Sequence, residues 1–338
     1  MRYIIPISIR LIAQKVKLAL MVTALLGVIA CDPLATDAVV IQITATPMPR
    51  TRPPSPTPPP ADTETPIPTI PPTLAPTPTT FLCIETVGQI VDDGFTSRVT
   101  GKRVTYRVYL PPCYWSSTRR YPYVILMHGS DADHTQWTNN KLNAHWVLEQ
   151  GLREGTLPPM LLVMPNGGEI ANLNIFTEGR SYEWLILNEL MPAVEKTFCT
   201  WNSRQGRAIG GISRGGFWAY LIAFRHPELF GAVGGHSAFF SAGNAPPAFN
   251  PLDLAKNKSF PANQQPRLWI DAGRNDYARP NIEVFQRSLA ARKIDPGYRM
   301  FPIGEHNETY WAAHVSDYLE FYGDPWPFAV ETLPSCLE

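Results

Sequence analysis

Short apolar runs alternate with longer stretches of helical periodicity from residue 84 to residue 322. Val104, Tyr106, Val108 and Leu110 fall on one face of an alternating segment, with Thr105, Arg107 and Tyr109 on the other, so Val104–Leu110 reads as a strand that ends at Pro111-Pro112. Ile84–Val91 reads as a strand before it. With no helical stretch between them, the two predict an antiparallel hairpin at a sheet edge. Tyr123–Met127, Met160–Met164 and Arg207–Gly211 are continuous apolar runs, as strands covered on both faces should be. Phe230–Val233, Leu268–Ile270 and Tyr298–Ile303 complete the expected strands. Helical patterns cover Asn140–Arg153, Ser181–Phe198, Gly215–Arg225, Asn281–Lys293 and Glu308–Tyr322, with Pro192 expected to kink or shorten the second. Residues 241–265, rich in Asn, Pro and Ala, read as a loop or lid. The alternation predicts an α/β fold: a mostly parallel sheet with helices on both faces.

The first eighty residues follow neither period. Arg2, Arg10, Lys15 and Lys17 precede an apolar run from Leu18 to Ala30, broken only by Thr23 and Gly27. That run is shorter than the roughly 20 residues that span a bilayer, and a basic segment before it reads as an export signal. Val28-Ile29-Ala30-Cys31 resembles a bacterial lipobox, which implies cleavage before Cys31 and a lipid anchor on its thiol. From Pro47 to Pro78, 14 of 32 residues are proline. Such a segment lacks the apolar content of a core and favours polyproline II, reaching roughly 100 Å at about 3.1 Å per residue. The expected organisation is a signal peptide at 1–30, a disordered Pro/Thr-rich tether at 31–80 and one folded domain at 81–338. The expected location is outside the cytoplasmic membrane, anchored or secreted.

Formal net charge is zero and the folded part has no basic block, which argues against a nucleic-acid partner. Besides Cys31 the chain has Cys83, Cys113, Cys199 and Cys336. An even number on an exported chain predicts two disulfides with three possible pairings. The first hairpin would bring Cys83 beside Cys113, so we favour that bond, leaving Cys199 and Cys336 to fasten the C-terminus. No His, Cys or acidic spacing resembles a metal-ligand set, and no cofactor is expected.

The candidate chemistry centres on Gly211-Ile212-Ser213-Arg214-Gly215. An apolar strand, a serine between glycines and a helical run are the parts of a nucleophile elbow, in which the serine occupies a sharp strand-to-helix turn. In an open parallel sheet, ligands bind at the carboxyl ends of strands, where Ser130, Asp276 and His306 are also expected. Serine, acid, histidine is the order of an α/β-hydrolase triad. The hydroxyl needs a base as it attacks, and the imidazole needs a carboxylate to fix its tautomer and stabilise its charged form. His306 lies between the last strand and the last helix and is the preferred base, with His236 next. His128 is expected to shape the oxyanion loop, His314 falls inside a helical pattern, and His226, before Pro227, reads as a helix terminus. Asp276 is preferred over Asp271 for its loop position, and Glu305 reads as an exposed neighbour. The backbone N–H groups of Arg214 and Ser130 would hold the developing oxyanion.

These segments resemble the esterase D and feruloyl-esterase-like branch of the α/β-hydrolases, which includes enterochelin esterases and mycolyltransferases. The resemblance rests on Tyr106–Pro112, Leu126-Met127-His128-Gly129, Gly210–Gly216, His226-Pro227-Glu228-Leu229-Phe230, Gly273–Asp276 and Gly304-Glu305-His306, and spans about 85–325. It implies a Ser213–His306–Asp276 triad with Ser130 and Arg214 as oxyanion donors. Many relatives have Met where this chain has Arg214, so the pocket rim, and with it the substrate, does not carry over. The Arg214 side chain is expected either to face an acidic group of the substrate or to form an outer salt bridge. The expected activity is an exported serine esterase acting through an acyl-enzyme on acyl or feruloyl esters of carbohydrate, or on small esters. An acyltransferase of the same fold and a non-catalytic surface ligand-binding protein are the alternatives.

Overall fold

The computed structural model describes residues 83–337. The signal segment, Cys31 and the proline-rich stretch lie outside the described residues. Eight strands form one sheet: β1 (Gln89–Thr96), β2 (Arg103–Leu110), β3 (Tyr123–Met127), β4 (Leu161–Pro165), β5 (Arg207–Ile212), β6 (Ala232–His236), β7 (Arg267–Gly273) and β8 (Tyr298–Phe301). Their spatial order is β1-β2-β4-β3-β5-β6-β7-β8. β1 and β2 pair antiparallel, β2 joins β4 antiparallel, and all later neighbours are parallel.

The helices are α1 (Ala144–Glu154), α2 (Gly168–Asn172), α3 (Tyr182–Leu185), α4 (Met191–Thr197), α5 (Arg214–Arg225), α6 (Pro251–Asn257), α7 (Arg279–Ala290), α8 (Glu308–Ala313) and α9 (Val315–Gly323). Strand alternation divides the core between the two faces. Tyr123, Ile125 and Met127 pack with α3, α5, α6 and α7, whereas Val124 and Leu126 pack with α1, α8 and α9. The connection after β3 therefore covers one face and the connection after β4 the other. The chain order reverses between β3 and β5, and such a reversal opens a crevice at the strands' carboxyl ends.

Four expectations are revised. The first strand begins at Gln89 rather than Ile84 and runs to Thr96. Its Asp92-Asp93-Gly94 has no apolar alternation, but Asp92 takes two 2.7 Å hydrogen bonds from the Arg107 guanidinium, and Asp93 accepts from the Tyr106 hydroxyl at 3.0 Å. Residues 241–265 are not all loop, since α6 lies within them, its Asn250 N-cap accepting from Leu252 N at 3.0 Å. The last helix divides at His314. Around Pro192 the helical stretch does not end but changes its winding. A π-helical turn at Ile186–Leu190 precedes α4, widening the backbone where the proline ring would press on the carbonyl four residues back.

Both favoured disulfides are present: Cys83–Cys113, with Cα atoms 5.5 Å apart, and Cys199–Cys336, with Cα atoms 5.9 Å apart. The second holds the C-terminal segment where Arg120 N donates to Pro334 O at 2.8 Å and Cys336 N to Thr118 O at 2.9 Å.

Candidate active site

The turn between β5 and α5 has no room for larger residues. A Cβ on Gly211 would come within 2.5 Å of the Gly215 carbonyl carbon, and one on Gly215 within 2.5 Å of Met127 O. Ser213 stands at the apex with φ 54° and ψ −113°, a conformation that L-residues rarely adopt and that surrounding bonds must hold. Its N–H donates to His236 O at 2.9 Å, and its carbonyl accepts from Phe217 N at 3.2 Å and Phe239 N at 2.9 Å.

Two further loops meet this serine. After β7, Arg274 N donates to Phe301 O and Asn275 N to Gly304 O, both at 3.0 Å, so the loop after β7 is tied to the one after β8. Asp276 Oδ1 accepts from Ala278 N at 2.7 Å and from His306 Nδ1 at 2.9 Å. His306 Nε2 lies 2.8 Å from Ser213 Oγ. A carboxylate only accepts, so Nδ1 carries the proton and Nε2 accepts from the hydroxyl. Asn307 caps α8 by accepting from Tyr310 N at 3.1 Å, which fixes His306 just before the helix. The imidazole is held on two sides. Tyr277 lies over it with ring centroids 4.2 Å apart, and Trp311 meets it edge-on at 5.3 Å.

The loop after β3 lies against the same serine, where a Cβ on Gly129 would contact Ser213 Cβ at 3.7 Å. His128 Nε2 accepts from Gly167 N at 2.8 Å, so its Nδ1–H donates to Gly129 O at 2.7 Å. Gly129 N–H donates to Gln136 Oε1 at 2.9 Å, and Asn172 Nδ2 donates to Ser130 O at 2.9 Å. With these groups engaged, the Ser130 N–H donates to no protein group among the described residues. Arg214 N–H opens α5, where the first amides lack intrahelical acceptors. The expected Ser213, Asp276 and His306 are thus brought together, with Ser130 and the Arg214 backbone beside them.

The remaining candidates are placed elsewhere. His236 and Asp271 pair with each other. Both are fully buried, and His236 Nδ1 lies 3.1 Å from Asp271 Oδ1. The Tyr322 hydroxyl donates to His236 Nε2 at 2.9 Å. The Asp271 carboxylate also accepts from Trp269 Nε1 at 2.9 Å, Tyr310 OH at 2.6 Å and Tyr318 OH at 3.1 Å. His226 lies 3.1 Å from Glu183 Oε1, and His314 lies 2.8 Å from Asp317 Oδ2.

Arg214 meets neither expectation for its side chain. It is buried and reaches no carboxylate. Its Nε donates to Ala171 O at 3.0 Å, and one terminal nitrogen donates to Leu173 O at 3.2 Å and Asn174 Oδ1 at 2.7 Å. The guanidinium lies 4.4 Å from the Phe217 ring centroid and 5.0 Å from that of Trp218. Burial brings its pKa down to about 10, which leaves it charged at neutral pH. Its work is to brace residues 171–174, which the sequence could not show because α2 is too short for a visible period. Arg214→Met should leave two carbonyls without this partner and lower stability by about 1–3 kcal/mol, measured by urea denaturation. An unchanged unfolding midpoint would contradict the brace. Gln136, Asn172, Tyr277 and Trp311 also went unread, since each is a single polar or aromatic residue with no motif around it.

Burial lowers the pKa of His128 and His236 from 6.5, outweighing the hydrogen bonds that favour their protonated forms. With the folded-state pKa depressed, the unfolded chain takes up protons first as pH falls. The stability these two histidines confer is complete above about pH 6.5 and declines below it, by up to about 1.4 kcal/mol per pH unit for each. Unfolding free energy measured at pH 7.5 and 5.5 should fall at the lower pH. Equal values would contradict neutral burial.

An endo-1,4-beta-xylanase/feruloyl esterase of Xylanibacter ruminicola is 32% identical over 155 residues, covering 44% of this chain and 21% of that protein. An esterase of Mycobacterium tuberculosis is 31% identical over 148 residues, covering 42% and 31%. The matched part thus spans between a fifth and a third of these relatives. A ferulic acid esterase structure superposes with TM-score 0.63 at 23% identity over 71% of this chain and 100% of the other. An S-formylglutathione hydrolase from Staphylococcus aureus gives 0.59 at 19% identity, over 70% and 98%. These likenesses show the fold, that of the α/β-hydrolase esterases. The Esterase family model matches residues 97–322, more than half of the chain, and the protein therefore belongs to the esterase family.

Proposed function

We propose that this esterase cleaves carboxylic esters through a Ser213 acyl-enzyme. The observation that carries the reading is the continuous line from Asp276 through His306 to Ser213, with hydrogen bonds of 2.9 and 2.8 Å. Ser213 Oγ attacks the ester carbonyl while His306 Nε2 takes its proton, and the Ser130 and Arg214 N–H groups receive the negative charge on the carbonyl oxygen. Collapse of that adduct expels the alcohol, which takes the proton back from His306. Water then repeats the sequence in reverse roles, releasing the acid and restoring the serine. Asp276 holds the imidazole tautomer and stabilises its charged form throughout.

For substrate we propose acyl or feruloyl esters on carbohydrate, or small soluble esters. The name of the Xylanibacter relative supports the first. Two disulfides fit an oxidising compartment, which supports export. We assign residues 1–30 as signal, Cys31 as the lipidated residue, 31–80 as tether and 81–338 as the catalytic domain. The test is labelling with a fluorophosphonate probe beside turnover of para-nitrophenyl and feruloyl esters. Labelling on Ser213 with turnover of one ester class is expected. A folded sample that neither labels nor turns over would sink the proposal and favour a non-catalytic binding protein. Transfer to an added alcohol in preference to water would make the activity a transferase.

A further inference from the structure

Beside the oxyanion loop is a groove of about 370 Å³ whose lining combines apolar and cationic groups. Val99, Ile170, Leu173 and Ile175 contribute its apolar surface, and Lys102, Arg103 and Arg180 its charge. Glu169 is its one acidic residue. Arg103 lies 3.7 Å from Asp93. The Lys102 ammonium and the Arg180 guanidinium have no protein partner among the described residues. In a chain with zero formal net charge, these cations form a local positive field.

Both free cations stand on anchored backbone. Lys102 closes the β1–β2 turn, where its carbonyl accepts from Ser97 N at 2.9 Å, and Arg98 N in the same turn donates to Glu189 at 2.8 Å. Arg180 N donates to Thr177 O at 3.1 Å, one residue before the Ser181 cap of α3. The groove also adjoins the proposed reacting centre. Gly168, Glu169 and Ile170 of α2 line it, while Asn172 of the same helix holds Ser130 O and Arg214 holds the carbonyls of Ala171 and Leu173. One side of this short helix thus belongs to the groove and the other to the serine loop.

We infer that the groove receives an anionic arm of the ester, apolar along its length and ending in a carboxylate or similar group that Lys102 and Arg180 meet. The substrate class is an ester of an acidic sugar or of a dicarboxylic acid. The inference rests on the esterase reading and narrows it.

Two matched pairs of substrates separate the arms. Hexyl acetate against acetoxyhexanoate places the charge on the alcohol side. Para-nitrophenyl hexanoate against its adipate half-ester places it on the acyl side. The wild-type chain should favour the charged member of one pair by about three- to tenfold in kcat/KM, the scale of two partly exposed ion pairs. The pair showing the preference identifies the arm, and ~1 M salt should remove it. A Lys102→Glu/Arg180→Glu double variant, altered only at exposed positions, should reverse the preference, read as the ratio of kcat/KM within each pair. Equal rates within both pairs, or a preference that the double variant keeps, would overturn the groove assignment and leave the esterase reading intact. Failure to cleave any of the four esters would overturn the groove assignment, and the esterase reading would fall with it only if fluorophosphonate labelling and feruloyl-ester turnover were absent as well.

Discussion

Ser213→Ala should reduce kcat for ester hydrolysis by about 10⁴- to 10⁶-fold, with the fold retained. The substitution removes the group proposed to form the covalent bond and leaves the proposed N–H donors and the surrounding cleft. The substituted alanine would inherit the same φ of 54°, still held by backbone bonds to His236, Phe217 and Phe239. The lost side-chain contacts are the hydrogen bond to His306 and a second one with the Tyr277 hydroxyl, so stability should change by only about 1–2 kcal/mol. His306→Ala should cost a similar factor, and the double variant little more than either alone, because the two act as a unit. Steady-state kinetics on one ester, with circular dichroism as the control for folding, reads all three variants. Turnover by Ser213→Ala within tenfold of wild type would remove the serine from the mechanism.

Asp271→Ala should cost about 3–5 kcal/mol of stability, the scale for removing one member of a buried charged network. Four donors converge on this carboxylate, from His236, Trp269, Tyr310 and Tyr318. Burial and the facing carboxylate push the Tyr310 and Tyr318 phenols up, so both stay protonated and donate. Without Asp271 the four donors are stranded between β6, β7, α8 and α9. Urea denaturation measures the loss, and a change below 1 kcal/mol would show the network to be dispensable. Should the variant fail to accumulate, Tyr310→Phe removes one donor and should cost about 1 kcal/mol. The effect should also reach Ser213, because the backbone carbonyl of His236 accepts its N–H.

Asp271 and His236 show where sequence reading met its limit. Taken alone, each was a plausible member of the triad, and the choice against them rested on position. The structure gives the physical basis. β6 continues through Gly234 and Gly235 to His236, and β7 continues to Gly273, so both residues sit within the sheet. Glycines read as the end of β6 are instead places where other groups press in, as Tyr220 would within 2.7 Å of a Cβ on Gly235. The elbow was legible because its steric demand restricts composition at fixed offsets. The inner strands were legible because burial on both faces leaves continuous apolar runs. By contrast α2 and α6, of five and seven residues, are too short for a helical period to emerge. Gln136, in the same connection as its partner Gly129, and Asn172, from the segment after β4, act through single side-chain amides, which leaves no local pattern to read.

Among the described residues, His236–Asp271 and His306–Asp276 are better shielded from solvent than the third histidine–aspartate hydrogen bond, His314–Asp317, and these two pairs have a spectroscopic consequence. Each places an imidazole N–H against a carboxylate, the arrangement that yields far-downfield proton resonances. The His236 pair has no solvent access, whereas the His306 side chain retains 8% of its surface. Exchange with solvent should therefore be much slower at His236. A persistent downfield signal in this protein would report on the interior, and Ser213→Ala should leave it in place. Only the faster-exchanging signal, if it moves on fluorophosphonate labelling, would belong to the reacting centre.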